Sequence, residues 1–525
     1  MGIIDRVKMA GLAISGQLRM TASWNWRRGT KTGSVFNGSK ISGKKLYPSA
    51  FDMDVDSLRD AVRASYWDSS QSRAIIKRLA DHVVSTGLFL EYSPSWELIN
   101  TSLPDDEKDQ FIRDIEIRFG LWAKSKEADS TAKLSFYELQ MFEFINRLRD
   151  GETFSILRYS GNSSRMNPVS IQFIDPAQVQ TPYNSLVYNA AISAGKRIEN
   201  GIEIDAFGKE VAIYVMDAVT REFTRIPVES PDGKRRYVLH PMISDTMGGV
   251  RGVSILGPVI HELKKIADYS VAELEAAVIN AVLAVWVKPS DKLSASAALT
   301  GIRARGNVDA GPEVNQETRE ATFDRGGLIV QSLKAGEEVV SFDTKRPNVN
   351  YETFVRAITK HVSASVSIPI EVLEESFSAN YSASRASLLL FYQSVDIWRG
   401  TCASQFNDAI FKAWFTEEVA AGRINAPGFG GASAYINAAW LQNSWMGTGK
   451  LSIDPLKEAA AVKLRQEMGH TTGEREAINY NNSDFSENAR RLKIEHEQLG
   501  VDQAGQPIDQ ALIDQITNDQ DKDNQ

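Results

Sequence analysis

Residues 378–400 read SANYSASRASLLLFYQSVDIWRG, and this stretch changes character half-way along. Its first half is small and polar, whereas its second half is aliphatic and aromatic. Small polar clusters are typical of loops, and an apolar run of this length is typical of a buried helix. The stretch has no histidine and no pair of acids. We therefore predict a loop that leads into a packed helix and carries no catalytic chemistry.

The composition is typical of a globular protein with several domains. The chain has 525 residues, of which 42% are hydrophobic and 24% are charged, and both fractions are ordinary. Its one cysteine, Cys402, excludes an internal disulfide. The N-terminal residues lack the apolar core of a signal peptide, and no run of about 18 apolar residues occurs. We therefore predict no membrane-spanning segment.

The net charge limits how the protein can interact with nucleic acid. The formal charge is −8 at pH 7, whereas proteins that bind nucleic acid tightly usually carry a basic surface, since phosphate neutralisation dominates their affinity. Either nucleic acid is irrelevant to this chain, or the contact between them must be weak.

A helical region, a region of strands and a second helical region follow one another. Apolar residues recur every three or four positions from Leu58 to Val83, which predicts helices with one buried face. Two more helices are predicted over 104–126 and 133–150. Residues 151–245 alternate apolar segments with turn dipeptides, which predicts an antiparallel sheet packed on these helices.

The second helical region is interrupted by a polar insertion. A long helix is predicted near 254–284, and residues 289–325 are polar and rich in Gly and Ala. Since a loop of this length is unusual inside a compact core, we expect the insertion to protrude. A hairpin over 328–342 and a helix near 350–368 follow it. More helices are predicted after residue 400.

Both ends of the sequence have a biased charge. Residues 25–45, NWRRGTKTGSVFNGSKISGKK, contain many cations and no acid, and this predicts a solvated basic arm. After Glu495 the acids far outnumber the single Lys522, and aromatic residues are absent. We predict that this acidic tail is disordered.

The sequence contains partial matches to catalytic and metal-binding motifs, and each of them fails on a required residue. GTGKLS at 447–452 lacks the upstream glycine and the hydroxyl residue of a phosphate loop, because Ser444 and Leu451 stand in those places. His261 and Glu262 begin a zincin-like pattern that Lys265 ends. The six histidines have no ligand spacing. We predict no enzyme activity, no metal and no cofactor.

A resemblance to a known family emerges further along the chain. The segment KAGEEVVSFDTKRPNVNYETFVRAITKHVSASVSIPIEVL at 334–373 precedes NYSASRASLLLFYQSVDIW at 380–398. Together they resemble portal proteins of tailed bacteriophages, in the lambda-like family. Ala335 replaces the usual turn proline of that family, while Gly336 and Glu337 match it.

Four other segments are similar to the family in the right order, so that the resemblance covers about residues 47–500. They are RASYWDSSQSRAIIKRLADHVVSTGL (63–88), GIEIDAFGKEVAIYVM (201–216), GGVRGVSILGPVIHELKKIADYSVAELEAAVINA (248–281) and IDPLKEAAAVKLRQEMGHTT (453–472). No single motif is diagnostic, but the six in order make coincidence improbable.

The resemblance implies an α+β phage portal fold, built as a wing of helices plus antiparallel sheet, a two-helix stem, a clip with a hairpin and a helical crown. The implied segments are an N-terminal basic arm (1–46), the wing (47–253), stem helix 1 (254–285), the clip (286–345), stem helix 2 (346–369), a tunnel loop with a kinked helix and more wing (370–434), the crown (435–500) and a disordered acidic tail (501–525).

The resemblance also implies a ring of subunits, usually twelve, that forms the DNA channel at one capsid vertex. The partners would be double-stranded DNA, the terminase large subunit (an ATPase), the major capsid protein and scaffold, and head–tail connector proteins, in the virion and, during assembly, in the host cytoplasm. The tunnel-loop residues lining the channel would be Ser376, Ser378, Asn380, Tyr381, Ser382 and Ser384. The clip residues facing terminase would be Arg303, Arg305, Lys334, Glu337 and Glu338.

A channel of this kind would explain the negative charge. Each Lys or Arg contact to phosphate adds affinity, and many such contacts in one ring would slow the passage of DNA. Small hydroxyl and amide side chains can touch the backbone without holding it.

Two other interpretations remain open at this point. One is a different structural ring or adaptor protein of a viral head. The other is a hydrolase in an unfamiliar α+β fold, which would need convergent acids such as Glu152 and Asp175. The aromatic residues between Phe391 and Phe415 form either the core of one subunit or an interface between subunits.

Overall fold

The computed structural model describes fourteen stretches of the chain. They are residues 55–99, 103–162, 164–183, 185–244, 249–282, 285–289, 323–324, 327–328, 337–341, 351–376, 381–431, 433–449, 455–481 and 485–499. The chain divides into two compact units, of which the first combines Met1–Pro258 with Ser363–Gln525 and the second is Val259–Val362. The second unit overlaps the span in which stem and clip were predicted. The predicted basic arm and acidic tail lie outside the described residues.

The helices of the described residues are named here in chain order. They are α1 Val55–Asp68, α2 Ser70–Val83, α3 Trp96–Ile99, α4 Asp105–Lys124, α5 Phe136–Asp150, α6 Leu186–Ser193, α7 Ile260–Val282, α8 Tyr351–Ser365, α9 Ile370–Glu374, α10 Tyr381–Cys402, α11 Asp408–Ala420, α12 Ala434–Trp440, α13 Pro455–Glu467, α14 Gly473–Asn481 and α15 Phe485–Leu499. Short 3-10 turns lie at Lys126–Ala128 and Pro176–Gln178, and a π-helical turn, Ala403–Asn407, joins α10 to α11.

The strands of the described residues are β1 Phe89–Tyr92, β2 Phe154–Tyr159, β3 Val169–Ile174, β4 Arg197–Glu199, β5 Ile202–Ile204, β6 Glu210–Met216, β7 Phe223–Pro227, β8 Val238–Leu239, β9 Val285–Pro289, β10 Phe323–Asp324, β11 Gly327–Leu328, β12 Glu337–Ser341 and β13 Asn443–Met446. All the pairings between these strands are antiparallel. The mixed helix and antiparallel-sheet class predicted from the sequence is therefore confirmed.

Local sequence signals explain several of the helix ends in the first unit. Ser135 begins α5 with a capping box, in which its hydroxyl accepts from the Glu138 N–H and the Glu138 carboxylate accepts from the Ser135 N–H. The helix ends at Gly151, whose φ of 89° is costly for other residues. The predicted helices 104–126 and 133–150 are confirmed within a few residues.

The predicted single sheet over 151–245 is instead two sheets. A three-stranded sheet has the order β3-β2-β8, and a four-stranded sheet has the order β4-β5-β6-β7. The three-stranded sheet contributes Leu157, Ile171 and Leu239 to a core shared with α4, α5 and α11. The four-stranded sheet closes a smaller core around Ile202 and Ile213. The helix α6 between β3 and β4 was not predicted.

The large core of the first unit joins parts of the sequence that are far apart. Phe119 of α4 lies edge-on to Trp414 of α11, with ring centres 5.2 Å apart. Trp440 of α12 is 1% exposed and accepts, at its carbonyl, a hydrogen bond from the Tyr92 hydroxyl at 2.8 Å. Strand β1 pairs with β13 through the register Phe89↔Met446. The first unit is therefore built from segments that come before and after the second unit in the sequence.

The second unit contains helix α7 and most of helix α8, with short strands between them in the chain. Tyr269 of α7 stacks on Tyr351 of α8 at 5.5 Å, and the Tyr351 hydroxyl donates to the Ser270 hydroxyl at 2.8 Å. The two helices therefore contact each other through these side chains. The hairpin predicted over 328–342 is wrong for its described residues, because β12 pairs with β9 and Leu328 of β11 pairs with Phe323 of β10. The rest of that span lies outside the described residues.

Candidate functional site

Only residues 376–380 of the predicted tunnel loop lie between α9 and α10, because residues 381–384 belong to α10 instead. Ser376 is exposed, and its N–H donates to the carbonyl oxygen of Glu371 at 3.1 Å, which closes the end of α9. Ser378 and Asn380 lie outside the described residues. Tyr381 and Ser382 begin α10, and their side chains are outside the described part of the structure.

Ser384 does not lie where the tunnel-loop prediction needs it. Its side chain is on the buried side of α10 and the residue is only 7% exposed. It shares that side with Leu388, Phe391 and Val395, because residues separated by four, seven and eleven positions lie on one helix face. A side chain packed in this way cannot touch a polymer in a channel, so we leave Ser384 out of the proposed channel lining.

The N-terminal side of the loop is anchored on α2. Helix α9 packs against α2, and Glu375 adopts a left-handed conformation with φ of 50° directly after it. The Glu375 carboxylate pairs with the Arg78 guanidinium of α2 at 2.5 Å. A non-glycine residue at positive φ is costly, and the ion pair helps to hold it there.

Helix α10, which follows the loop in the chain, also contacts α2. Arg399 of α10 donates to the carbonyl oxygens of His82 at 3.1 Å and Val83 at 3.0 Å, at the end of α2, and to that of Thr448 at 2.8 Å. A cation near the last carbonyls of a helix is favourable. The His82 ring also lies edge-on to Phe391 at 5.1 Å. The four residues 377–380 thus connect two segments that are both fixed to α2.

The structure buries most of the aromatic run, on one face of α10 and on α11, within one subunit. Phe391, Tyr392, Phe411, Trp414 and Phe415 are at most 5% exposed, so these side chains belong to the core of one subunit. The opposite face of α10 is different.

On that opposite face, Leu389, Leu390 and Ile397 are 54%, 65% and 72% exposed. Ala386 and Gly400 are exposed on the same side of the helix. We call these five residues the α10 outer face. Apolarity alone predicted that the whole segment was buried, and only the structure separates the two faces.

The predicted clip residues are only partly described. Arg303, Arg305 and Lys334 lie outside the described residues. Glu337 and Glu338 lie on β12 of the second unit, opposite Pro289 and Lys288 of β9. Their side chains are not part of the description, and their role toward terminase stays a prediction.

The acids that a hydrolase would need are engaged in ion pairs within the first unit. Glu152 is 0% exposed, and its carboxylate binds Arg251 at 2.5 Å, Arg59 at 3.2 Å and His240 at 3.0 Å. Burial alone would raise the pKa of Glu152, but the positive charges of Arg251 and His240 and their hydrogen bonds lower it far below its usual value. A carboxylate held ionised in this way cannot serve as a general acid.

Asp175 is also used in a structural contact. Its carboxylate pairs with Arg63 at 2.7 Å and accepts from the N–H of Ala177 at 2.8 Å, where it begins a 3-10 turn. The same arginine binds Asp150 at 2.7 Å. Glu152 and Asp175 thus have the contacts of structural residues. In the described parts of the chain, no group of His, Cys, Asp and Glu has the arrangement of a metal site.

Comparison with known proteins identifies the family. The model of the phage portal protein, lambda family, matches residues 42–399, which is more than half of the chain. The chain belongs to the lambda family of phage portal proteins. This portal protein is 23% identical to the portal protein of Escherichia phage N15 over 414 residues, covering 75% of this chain and 76% of that one. It is 22% identical to portal protein B of Escherichia phage lambda over 413 residues, covering 75% of each chain.

Among solved structures, the portal protein is similar to a chain in the neck of a native GTA particle computed with C12 symmetry. The TM-score is 0.39 and the identity 11%, over 81% of this chain and 92% of that chain. In the portions of the chain that are described, no helix is long and apolar enough to cross a bilayer.

Proposed function

We propose that this portal protein assembles into a ring whose bore carries double-stranded DNA during genome packaging and ejection. The ring would occupy one capsid vertex and bind terminase first and head–tail connector proteins later. The observation that carries the proposal is the short connection 377–380, which joins two segments fixed to α2. Because both ends are anchored, a ring of copies would present the same loop at the same height around a central hole.

The character of this segment supports weak contact with DNA. Ser376, Ser378, Asn380 and Ser382 offer hydroxyl and amide groups, which can contact phosphates without the strong affinity of a cation. The residues before the loop are acidic, since Glu371, Glu374 and Glu375 all lie in or next to α9. Negative charge repeated around a ring would disfavour adhesion of DNA to the wall.

Introducing cations into the loop tests the contact with DNA. We expect the double variant S378K/S382K to reduce the DNA packaged per particle, because each ring would gain two cations per subunit that hold the phosphate backbone. The matched control is Q110K, which adds a cation on the exposed side of α4. Unchanged packaging and retention in S378K/S382K particles would show that the loop does not face DNA.

The α10 outer face supports self-association. Exposed apolar side chains that lie together on one helix commonly mark a protein interface, and three large ones here are more than half exposed. The small residues Ala386 and Gly400 would let a neighbouring helix approach closely. We propose that this face packs against a second copy of the chain in the ring.

Particle mass and shape test the ring directly. Twelve copies of a 58.1 kDa chain give about 700 kDa, which light scattering and negative-stain images can detect. We expect L390E/I397E to yield smaller species, because it places charges in an apolar contact. The control L121E changes a leucine of α4 that is 59% exposed, and it should leave the rings intact. A compact monomer with no central hole in the unmodified protein would refute the proposed function.

A further inference from the structure

A basic recess of the first unit is lined by residues that belong neither to the loop nor to the α10 outer face. It has a volume of about 110 Å³ and is formed between the β7–β8 connection and α11. Its lining includes Tyr159, Lys234, Arg235, Arg236, Lys412 and Glu417. Four of these side chains are cations, in a chain whose formal net charge is −8.

One wall of the recess is rigidly built. The Arg235 guanidinium donates to both carboxylate oxygens of Glu417, at 2.8 and 3.0 Å, and lies over the Tyr159 ring at 4.9 Å. The Tyr159 hydroxyl donates to the carbonyl oxygen of Arg236 at 3.0 Å. Such bidentate and stacked contacts fix an arginine well. The shape of the recess is therefore set before any ligand arrives.

The remaining cations have unused capacity to bind an anion. Within the described residues, Lys234 and Lys412 form no ion pair, and Arg236 uses its Nε to donate to the carbonyl of Val238 at 2.9 Å. The other acid of the lining, Glu229, pairs with Lys209 outside the lining at 3.3 Å. The two acids of the lining are thus already matched. The nearby Asp232 carboxylate offsets part of the Lys234 charge, and the recess still keeps an excess of positive charge that favours a carboxylate or a phosphate.

The shape favours a peptide carboxylate over duplex DNA. Duplex DNA presents a charge about every 1.7 Å along its axis, and its affinity grows with an extended track of cations. This recess is small and concave, and it holds two carboxylates of its own. A space of about 110 Å³ admits one short acidic side chain with its water, since about 10–15 Å³ of such space already holds one water.

The sequence contains a segment of matching charge. Residues 501–525 have six aspartates, one lysine and no arginine, so their formal charge is −5. A chain of 25 residues can reach on the order of 80 Å when extended. We propose that aspartates of this acidic segment dock in the basic recess, with their carboxylates between Lys234 and Lys412. This inference does not depend on the ring or on the passage of DNA.

Carbodiimide cross-linking of the full-length protein tests the docking. The reagent joins an amine to a carboxylate only when they are in contact, and mass spectrometry identifies the linked peptides. We expect amide links from Lys234 or Lys412 to aspartates of residues 501–525. The matched control lysines are Lys124 and Lys133, which are also exposed. Equal or greater linkage of the segment to the control lysines would overturn the proposal.

Lysine modification rates give a second measurement. At an effective concentration on the order of 1 mM, docking with a Kd on the order of 0.3 mM would slow acetylation of Lys234 and Lys412 about fourfold. We expect a full-length variant with the six aspartates changed to asparagine to lose this protection, and added salt to weaken it in the unmodified protein.

Two results in this assay would overturn the proposal. One is equal acetylation of Lys234 and Lys412 in the unmodified and asparagine-substituted proteins. The other is that a 30-base-pair DNA duplex protects these lysines equally in the unmodified and asparagine-substituted proteins. That result would make the recess a nucleic-acid site instead.

Discussion

The buried histidine of the first unit makes a sharp prediction about stability and pH. The Nε2 atom of His240 lies 3.0 Å from Glu152 and its Nδ1 atom lies 2.7 Å from Glu210, and the ring stacks on Phe154 at 4.1 Å. Burial alone would lower the pKa of His240, but the charges and hydrogen bonds of the two glutamates outweigh it and raise the pKa to about 9. The folded protein therefore favours the imidazolium form.

The size of the effect follows from the two pKa values. An unfolded histidine titrates near 6.5 and the folded one near 9, and this difference corresponds to about 3 kcal/mol of unfolding free energy. Because the folded pKa is the higher one, the stabilisation is fully present below pH 6.5. It is lost as the pH rises from 6.5 through 9.

Replacing the histidine isolates this contribution. We expect the difference in unfolding free energy between the unmodified protein and H240Q to fall by about 3 kcal/mol between pH 6 and pH 9. Urea unfolding followed by tryptophan fluorescence would measure it, since the core contains Trp122, Trp414 and Trp440. Groups elsewhere in the chain titrate in both proteins, and their contributions cancel in the difference.

A second histidine provides a control with the opposite sign. Burial lowers the pKa of His82, and Arg78 and Arg399 lower it further. The folded state therefore favours neutral His82, so its contribution is complete above pH 6.5 and is lost as the pH falls below that value. Two results would refute the proposed charge on His240. One is a difference in unfolding free energy between the unmodified protein and H240Q that varies by less than about 0.5 kcal/mol between pH 6 and pH 9. The other is a difference that changes with pH in the same direction as the one measured for H82Q.

Three further predictions concern the first unit. We expect G151A to lower the unfolding free energy by about 1–3 kcal/mol, because Gly151 has φ of 89° and an added Cβ would lie 2.5 Å from the Val253 backbone. The control G120A, in the middle of α4 with open space around it, should raise the unfolding free energy by about 0.5–1 kcal/mol. Equal effects of the two changes in urea unfolding would contradict this account. Cys402 should resist thiol reagents in the native protein and react on unfolding, because burial raises the pKa of its thiol to about 11. Fast reaction of Cys402 with a thiol reagent in the native protein would show that the thiol is accessible. R399M should increase amide exchange at the C-terminal ends of α2 and α10, because the donors to the carbonyls of α2 are lost. R385M, at an exposed position, should not, and equal exchange in both variants would show that Arg399 does not fix α10 to α2.

Local sequence signals predicted the elements whose ends depend on neighbouring residues. Ser135 and Gly151 mark both ends of α5, because a cap and a positive φ act within one turn. The pairing of β1 with β13 could not be predicted in the same way. Phe89 and Met446 are partners more than 350 residues apart, and the choice of a strand partner at that distance depends on the packing of the whole unit.

The candidate site shows the same division between local and tertiary information. The apolar run after Ser387 predicted a helix, and the structure has one. Hydrophobicity could not show that Ser384 is buried while Leu389 and Ile397 are exposed. One face of α10 is buried because it contacts α2. The opposite face has no neighbour within the described residues. The one sequence signal for the contact between α10 and α2 was Arg399, which is the only cation in the second half of residues 378–400.

The arrangement of the large core has a consequence for folding. Phe119, Trp122 and Phe136 come before the second unit in the chain, whereas Phe411, Trp414 and Trp440 come after it, and all six belong to one core cluster. Removing either group would expose several aromatic side chains, each of which contributes about 1.5–3 kcal/mol or more on burial. The first unit therefore cannot complete its core until the chain is made beyond residue 440. Changes within Val259–Val362 can alter the second unit without removing any of these core residues, because none of the cluster lies in that span.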